Sequence, residues 1–397
     1  MPFSLYLLAV AVFAMGTSEF MLAGLVPDIA NGLGVPIGTA GLLTSAFAIG
    51  MAVGAPLTAA LARRWPARAS LLGFVLVFAA AHLAGAVTTS FPALLVTRVV
   101  AALANAGFLA AALTAAAALV APDRKGRALA ILLAGTTVAT IAGVPGGAVL
   151  GTLLGWRATF WAIAILCLPA AFGVVKGFPA NAAPELGAGH IQPPKPQSPE
   201  QKPAPSLRAE IRQLANPRLA LTMVLGALVN AATFATFTFL APIVTGTAGL
   251  AEPWVPVALV LFGLGSFAGV TGAGRLSDRR PGLVIAVGGP LLLLGWLTMA
   301  ALAAGPVALL ALVFVQGALS FALGSTLIAR VLYESAGAPT MAGSYATAAL
   351  NVGAAGGPAI AAGVLGAGSG DLGPVWTSAA LVAVALLVAV ALRRSDR

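Results

Sequence analysis

Apolar residues run along the chain in twelve stretches, at about 4–26, 37–61, 69–88, 92–120, 128–150, 158–175, 218–242, 255–274, 283–304, 306–328, 343–366 and 374–392, each bounded by Pro, Gly or charge. Most reach the roughly 20 residues that cross a bilayer's hydrocarbon. Backbone groups in lipid must find their hydrogen-bond partners within their own segment, so the stretches read as transmembrane helices. The first lacks a basic start, is too long for a cleaved leader and carries Glu19, so it is expected to remain as a span.

Composition agrees with this pattern. Only 8% of the 397 residues are charged and 60% are hydrophobic, against about a quarter charged in a soluble domain. A net charge of +10 would suggest nucleic acid in a soluble protein, but here the basic residues cluster in short loops between apolar runs, and no nucleic-acid site follows. Nineteen of the 21 Lys and Arg fall in alternate loops and at the C-terminus; Arg157 is alone in the other loops and Arg98 lies within a span. The positive-inside bias then places both termini in the cytoplasm, which requires an even number of spans. Cys167 is the sole cysteine, which excludes a disulfide framework and a cysteine metal cluster.

Eight prolines between residues 177 and 206 mark a break after the sixth span. The division reads as an N-terminal six-helix half (1–176), a cytoplasmic Pro-rich linker (177–217) and a C-terminal six-helix half (218–397). Within the linker, Leu207 to Leu214 has the pattern of a short amphipathic helix on the membrane surface. An offset of 215 residues lays Leu61–Pro66 over Leu276–Pro281 and Pro27 over Pro242, which suggests duplication. Two-half transporters place substrate between such repeats, near the middle of the bilayer.

Of the 11 acids, only Glu19 is embedded in a span. A charge at midmembrane costs about 2.5–3.5 kcal/mol on insertion scales, so an intramembrane carboxylate is by default a functional-site hypothesis. Burial disfavours its ionised form, which lets its protonation change as a cavity opens to either side; a protonated Glu joining two helices is the plainer reading. Arg98, seven residues into the fourth span, either holds water and tunes a carboxylate or reaches back to the interface. His82 reads as a satisfied span histidine or a proton relay. The fifth span carries Gly135, Ala139, Gly143, Gly147 and Gly151 at every fourth position, a smooth stripe for close helix packing, and Pro145 bends it. Similar stripes run through Ala46, Gly50, Gly54 and Thr58 and through Ala349, Gly353, Gly357 and Ala361. Polar or aromatic span residues that are candidates for lining a substrate pocket are Asn105, Phe108, Asn230, Phe234, Phe237, Gln316, Phe321 and Asn351. A mainly apolar pocket with few polar groups suits an amphipathic small molecule. Two histidines, His82 and His190, and one embedded acid provide no enzyme constellation, and a phosphate-binding loop of the GxxxxGK[ST] type is absent from the sequence.

MGTSEFMLAGLVPDIA in the first span, Arg98 with its small-residue helix, GVPGG in the fifth, GWRATFW opening the sixth and GRLSDRRPG after the eighth together resemble the twelve-helix drug:proton antiporters of the major facilitator superfamily. TSEFMLAGLVPDIA and LTSAFAIGMAVGAPL look most like the chloramphenicol exporters within it. The resemblance covers both halves. It implies an all-α membrane protein of 12 transmembrane helices in two six-helix halves that exports chloramphenicol or a similar amphipathic drug in exchange for protons. The carrier would need no cofactor beyond the proton gradient and would work as a monomer in the cytoplasmic membrane. It implies Glu19 as the acid shared by proton and drug, Arg98 as the arginine of proton coupling, and Gly143, Pro145, Gly146 and Gly147 as the antiporter motif contacting the other half. Asp278, Arg279 and Arg280 would form the gating loop. The first-half loop departs from the pattern, with Arg63 where an Asp is usual and Pro66 where a Gly is usual. Relatives with the same first-span motif export sugars or purines, so a metabolite exporter is the alternative; a passive channel or membrane enzyme is the remoter one.

Overall fold

The computed structural model describes residues 2–61, 66–121, 124–177, 210, 212–335, 337 and 341–395, of which 59–61, 117–118, 126, 274–279 and 391–395 are described by backbone alone. Arg63 and most of the linker expected at 177–217 lie outside the described residues. Twelve of the described helices are long and apolar enough to cross a membrane: α1 (Phe3–Phe20), α2 (Ile37–Thr58), α3 (Ala67–Val87), α4 (Phe91–Ala116), α5 (Arg127–Leu154), α6 (Trp156–Gly177), α7 (Pro217–Thr238), α8 (Trp254–Ala273), α9 (Pro281–Leu302), α10 (Pro306–Glu334), α11 (Ala342–Gly366) and α12 (Gly373–Val390). They follow the twelve apolar stretches in number and order, and no strand occurs among the described residues. Because twelve spans alternate in direction, the start of α1 and the end of α12 share one face, here the terminal face; the opposite one is the distal face.

Helix starts follow local chemistry. Pro92, Pro217, Pro281 and Pro306 occupy the first turns of α4, α7, α9 and α10, where a missing N–H costs no ladder bond. Asn216 caps α7 by accepting the Arg218 N–H at 3.1 Å. At the distal face Gly155 alone separates α5 from α6, with φ +83°, a conformation that only glycine adopts without strain.

Three spans are interrupted, the seventh at Phe239, beyond which the helix resumes at Leu240 and widens into a π turn over Ile243–Thr247. The helix of α1 breaks at Met21 and resumes as Leu22–Leu33, which contains Pro27. In α5 the bend predicted at Pro145 takes the form of a π turn over Ala139–Gly143. Pro145 has no hydrogen to give the Ile141 carbonyl, and its ring would crowd that oxygen; one wider turn just before it relieves both.

The three small-residue stripes all become helix contacts. Along α5, Gly135 faces the Ala9 carbonyl, Ala139 meets Gly16, Gly143 meets Thr17 and Gly151 meets Leu25, so the stripe packs along the first span and its continuation. Gly50 and Gly54 of α2 pack on Ala102 and Ala106 of α4, and Gly353 and Gly357 of α11 pack on the Ala227 and Ala231 carbonyls of α7. Outward faces carry large apolar side chains, including Leu154, Leu168 and Leu387 at 71%, 62% and 72% exposure. Apolar surface on that scale calls for lipid as its solvent.

The first six helices and the last six meet on the distal side. Gly38 lies against Ala362, Gly41 against Phe239, Gly24 against Leu259 and Gly263 against the Thr140 carbonyl. Ser45 donates to the Ala355 carbonyl at 2.7 Å. At the distal face a cavity of about 550 Å³ lies between the start of α2 and the ends of α7 and α11, with Thr39, Phe239 and Asp371 in its wall.

The stripe on α11 gives a paired test. A side chain at residue 357 would collide with the Ala231 carbonyl, whereas residue 356 has open space beside it. Gly357→Ala is expected to destabilise the protein by about 1–3 kcal/mol, and Gly356→Ala to leave it as stable as the parent or more stable by up to about 1 kcal/mol, in thermal unfolding in detergent. Equal midpoints for the two variants would contradict the packing.

Candidate functional site

Arg98 sits in the second turn of α4, where Ala101, Ala102, Ala104 and Ala106 leave room beside it. Only 1% of its surface is exposed, and its side chain turns inward instead of reaching for the distal face. Its Nη1 donates to Ser18 Oγ and its Nη2 to the Ser18 carbonyl, both at 2.8 Å. The Phe47 ring of α2 lies 4.3 Å from the guanidinium carbon, a cation–π contact strengthened by the lack of competing water. Ser18 Oγ also lies 2.8 Å from His82 Nε2, and His82 Nδ1 2.8 Å from the Phe78 carbonyl on α3. Hydrogen bonds to charged groups contribute about 1.5–3 kcal/mol each when buried, and here they offset part of the cost of holding a cation away from water.

Glu19 follows Ser18 in the last turn of α1. It is half-buried. Among the described residues the guanidinium makes its close contacts with Ser18 and Phe47, and no ion pair joins it to Glu19. The result is a carboxylate on the residue next to the one that anchors a fixed positive charge, with no ion pair between them.

Phe20, on the other side of Glu19, begins a chain of rings that crosses between the halves. It stacks on Phe234 at 5.7 Å and meets Phe237 edge-on at 6.3 Å. Phe237 continues to Phe262 at 4.5 Å, and Phe262 to Phe321 at 6.0 Å. Phe234 also packs with Ala48 of α2 and Ala354 of α11. The arrangement provides an apolar wall with one titratable group at its edge.

The other candidates divide. Asn105 lies two turns from Arg98, a spacing that keeps both on one face of α4. Phe108 is fully buried in the core of the first six helices, and Gln316 is fully buried where α10 meets α9, donating to the Leu292 carbonyl at 3.3 Å. Neither faces an open cavity. Asn230 ties α7 to α11 through the Leu350 carbonyl at 2.7 Å, and Asn351 donates to Thr347 in its own helix. Gly143 presses on Thr17, Gly147 on Thr159, and Gly146 faces open space; the neighbouring Thr140 and Ile141 meet Gly263 of α8, so the bend at Pro145 touches both halves. Asp278 and Arg279 close the helix of α8 at the terminal face, and Arg280 follows, exposed. No group of three or more His, Cys, Asp or Glu fit to hold a metal occurs among the described residues.

Sequence reasoning did not select Ser18, Phe20, Phe47 or Phe262. Ser18 and Phe20 flank Glu19 directly, a signal that was available; Phe47 and Phe262 read as ordinary span residues.

A family model described as Major Facilitator Superfamily matches residues 8–358. The chain is 71% identical to a chloramphenicol resistance protein of Streptomyces lividans over 99% of this chain and 97% of that protein. It is 30% identical to the inner membrane transport protein YdhP of Escherichia coli over 93% of this chain and 90% of that one. Among solved structures it is similar to a bacterial homologue of the human lysosomal transporter Spinster in an inward-facing, occupied conformation, with a TM-score of 0.72, 17% identity and 98% and 96% of the two chains covered. The nucleoside transporter NupG gives 0.70, at 17% identity over 99% of both chains. At such identities the two structures bear on the fold alone.

The ring contact between halves is measurable. A double-mutant cycle of Phe20→Leu and Phe234→Leu on thermal stability is expected to give a coupling of about 0.5–1.5 kcal/mol. Additive effects would mean that the rings do not stack in the protein as it exists in detergent.

Proposed function

The chain belongs to the major facilitator superfamily, and on that premise we propose that it is a proton-coupled antiporter that expels chloramphenicol or a similar amphipathic drug across the cytoplasmic membrane. The observation that carries this reading is the position of Glu19, an embedded carboxylate held between Arg98 and the ring chain that joins the two halves. The similarity to a chloramphenicol resistance protein supports the substrate class. The distribution of Lys and Arg supports a cytoplasmic terminal face.

With the terminal face in the cytoplasm, a molecule joined on its distal side is open inward. Ionised Glu19 and the apolar wall then receive drug from the cytoplasm. Rocking of the halves joins them on the terminal side and opens the site outward, where a proton on Glu19 displaces the drug. The neutral, protonated site returns, and the proton leaves toward the cytoplasm. Arg98 stays charged throughout, because a guanidinium does not give up its proton. For a neutral drug exchanged for one proton, the membrane potential supplies about 2.3 kcal/mol per 100 mV, roughly a fifty-fold gradient. The carrier is proposed to work as a monomer. Asn105, Phe234, Phe237 and Phe321 are the groups proposed to touch the drug; Asp278, Arg279 and Arg280 are proposed to gate the terminal side.

Glu19→Gln cannot ionise, and energised vesicles carrying it are expected to lose uncoupler-sensitive export of labelled chloramphenicol. Export at the parent rate would refute the role. The cycle is tested separately by a cross-link. A side chain at residue 38 would lie 3.4 Å from the Cα of Ala362, close enough for a disulfide. In a Cys167→Ala background, Gly38→Cys with Ala362→Cys is expected to cross-link on oxidation, stop export and recover with reductant. Full export by the cross-linked carrier would exclude distal opening as a step.

A further inference from the structure

His82 is as deeply buried as Arg98, and the antiport cycle above gives it no task. Its hydrogen bonds determine its state. The Phe78 carbonyl can only accept, so Nδ1 carries the hydrogen. Nε2 then presents a lone pair, and the Ser18 hydroxyl donates to it. That choice turns the oxygen's lone pairs toward Arg98 Nη1. One directed chain results, in which Arg98 donates to Ser18, Ser18 to His82, and His82 to Phe78. Phe78 and Phe160, at 4.3 and 5.7 Å between ring centres, hold the imidazole from two sides. A doubly protonated ring would leave the Ser18 hydrogen without its acceptor and place a second cation beside the guanidinium. The relay reading of His82 is therefore replaced by a fixed acceptor.

The two terminal nitrogens of Arg98 are both committed to Ser18, and Glu19 is the next residue. We propose that His82 is a positioning residue: acting through Ser18, it keeps the Arg98 guanidinium beside Glu19 but out of an ion pair with it. The inference rests on the antiport reading, in which Glu19 must exchange a proton and meet a drug in every cycle. A guanidinium free to turn would close on the carboxylate and hold it ionised, so that protonation would need a more acidic exterior. Ionisable groups on the elements packed against α1 at this depth are few. Arg98 comes from α4 and His82 from α3, and Cys167 of α6 gives its Sγ–H to Ile163. The sequences of α2 and α8 and the middle of α5 bring none, and the one in α7, Arg218, stands in its first turn at the terminal face.

The test is the pH midpoint of chloramphenicol binding to the purified full chain in lipid nanodiscs. His82→Leu and Ser18→Ala are each expected to shift the midpoint to lower pH by about one unit, a tenfold change in proton concentration. The double variant is expected to shift it no further than Ser18→Ala alone, because both act on one chain of bonds. His82→Gln, which restores an acceptor for the Ser18 hydroxyl, is expected to return the midpoint toward that of the parent. Unchanged midpoints, a shift to higher pH, or additive shifts in the double variant would overturn the proposal; if His82→Leu does not fold, Ser18→Ala and His82→Gln decide it alone. Glu19→Gln separates this inference from the reading beneath it. A flat pH profile in Glu19→Gln with unmoved midpoints in the other variants sinks the role of His82 only, whereas a parental profile in Glu19→Gln sinks both.

Discussion

The buried guanidinium of Arg98 is the constraint around which the first six helices are arranged. A cation that cannot neutralise itself must be surrounded by acceptors, and here they come from three other helices. Ser18 of α1 supplies a hydroxyl and a carbonyl, Phe47 of α2 a ring face, and His82 of α3 the acceptor that orients the hydroxyl. Each acceptor fixes the rotation of its helix about its own axis. The alanines along α4 and the glycines of α2 then let these helices approach closely enough to keep the bonds short. Once α1 is fixed in rotation by Ser18, the directions of Glu19 and Phe20 follow, since adjacent helical positions are turned about 100° apart. The carboxylate and the first ring of the aromatic chain are thus placed by a bond to their neighbour.

The two repeats answer one another in backbone but not in chemistry. Pro27 and Pro242 both fall just beyond a break in their spans, after Met21 and Phe239, and Gly-Pro stretches lie within α5 and α11. At the position equivalent to Glu19, however, the second repeat has Phe234, and the two meet across the molecule through Phe20. On the proposed function, the aromatic side offers apolar surface for a drug and has no charge to exchange, and the acidic side offers the charge. Placing both functions in one half would put the titrating group inside the apolar wall, where ionisation is most costly.

Much of this was legible in the sequence because lipid imposes a simple rule on residue types. Twelve apolar stretches gave twelve helices, and Glu19 and Arg98 stood out because charge within a span is so rare. The small-residue stripes also predicted close packing, and the structure adds the partners: α1 for α5, α4 for α2 and α7 for α11. What the sequence could not give was the pairing of polar groups across helices. Ser18 and His82 are 64 residues apart, and each by itself is an ordinary span residue. Gln316 and Phe108 looked like pocket residues because their types are apt, yet rotation of their helices turns both into packed cores. The π turn before Pro145 was equally hidden, since a proline predicts a bend but not how the preceding turn absorbs it.

The packing also indicates how a molecule this tightly built can move. Within the first six helices and within the last six, glycines bring backbones together repeatedly, as at Gly50, Gly54, Gly265, Gly269, Gly353 and Gly357. Contacts of that kind interlock over the length of a helix and resist sliding. Across the junction, the backbone approaches at Gly38 and Gly263, one serine hydroxyl donates to a carbonyl, and Gly24, Gly41 and Ala48 meet apolar side chains beside the stacked rings. Smooth glycine surfaces and stacked rings exchange one set of contacts for another without breaking a ladder of directed bonds, and the bond from Ser45 is the kind that water or a polar solute can replace. On the proposed cycle, therefore, the halves move as two stiff bodies, and the Arg98 network travels intact inside the first. In that proposal Glu19 keeps its surroundings within the first half, and it is on the side toward the second half, where Phe20 meets Phe234, that access to proton and drug alternates.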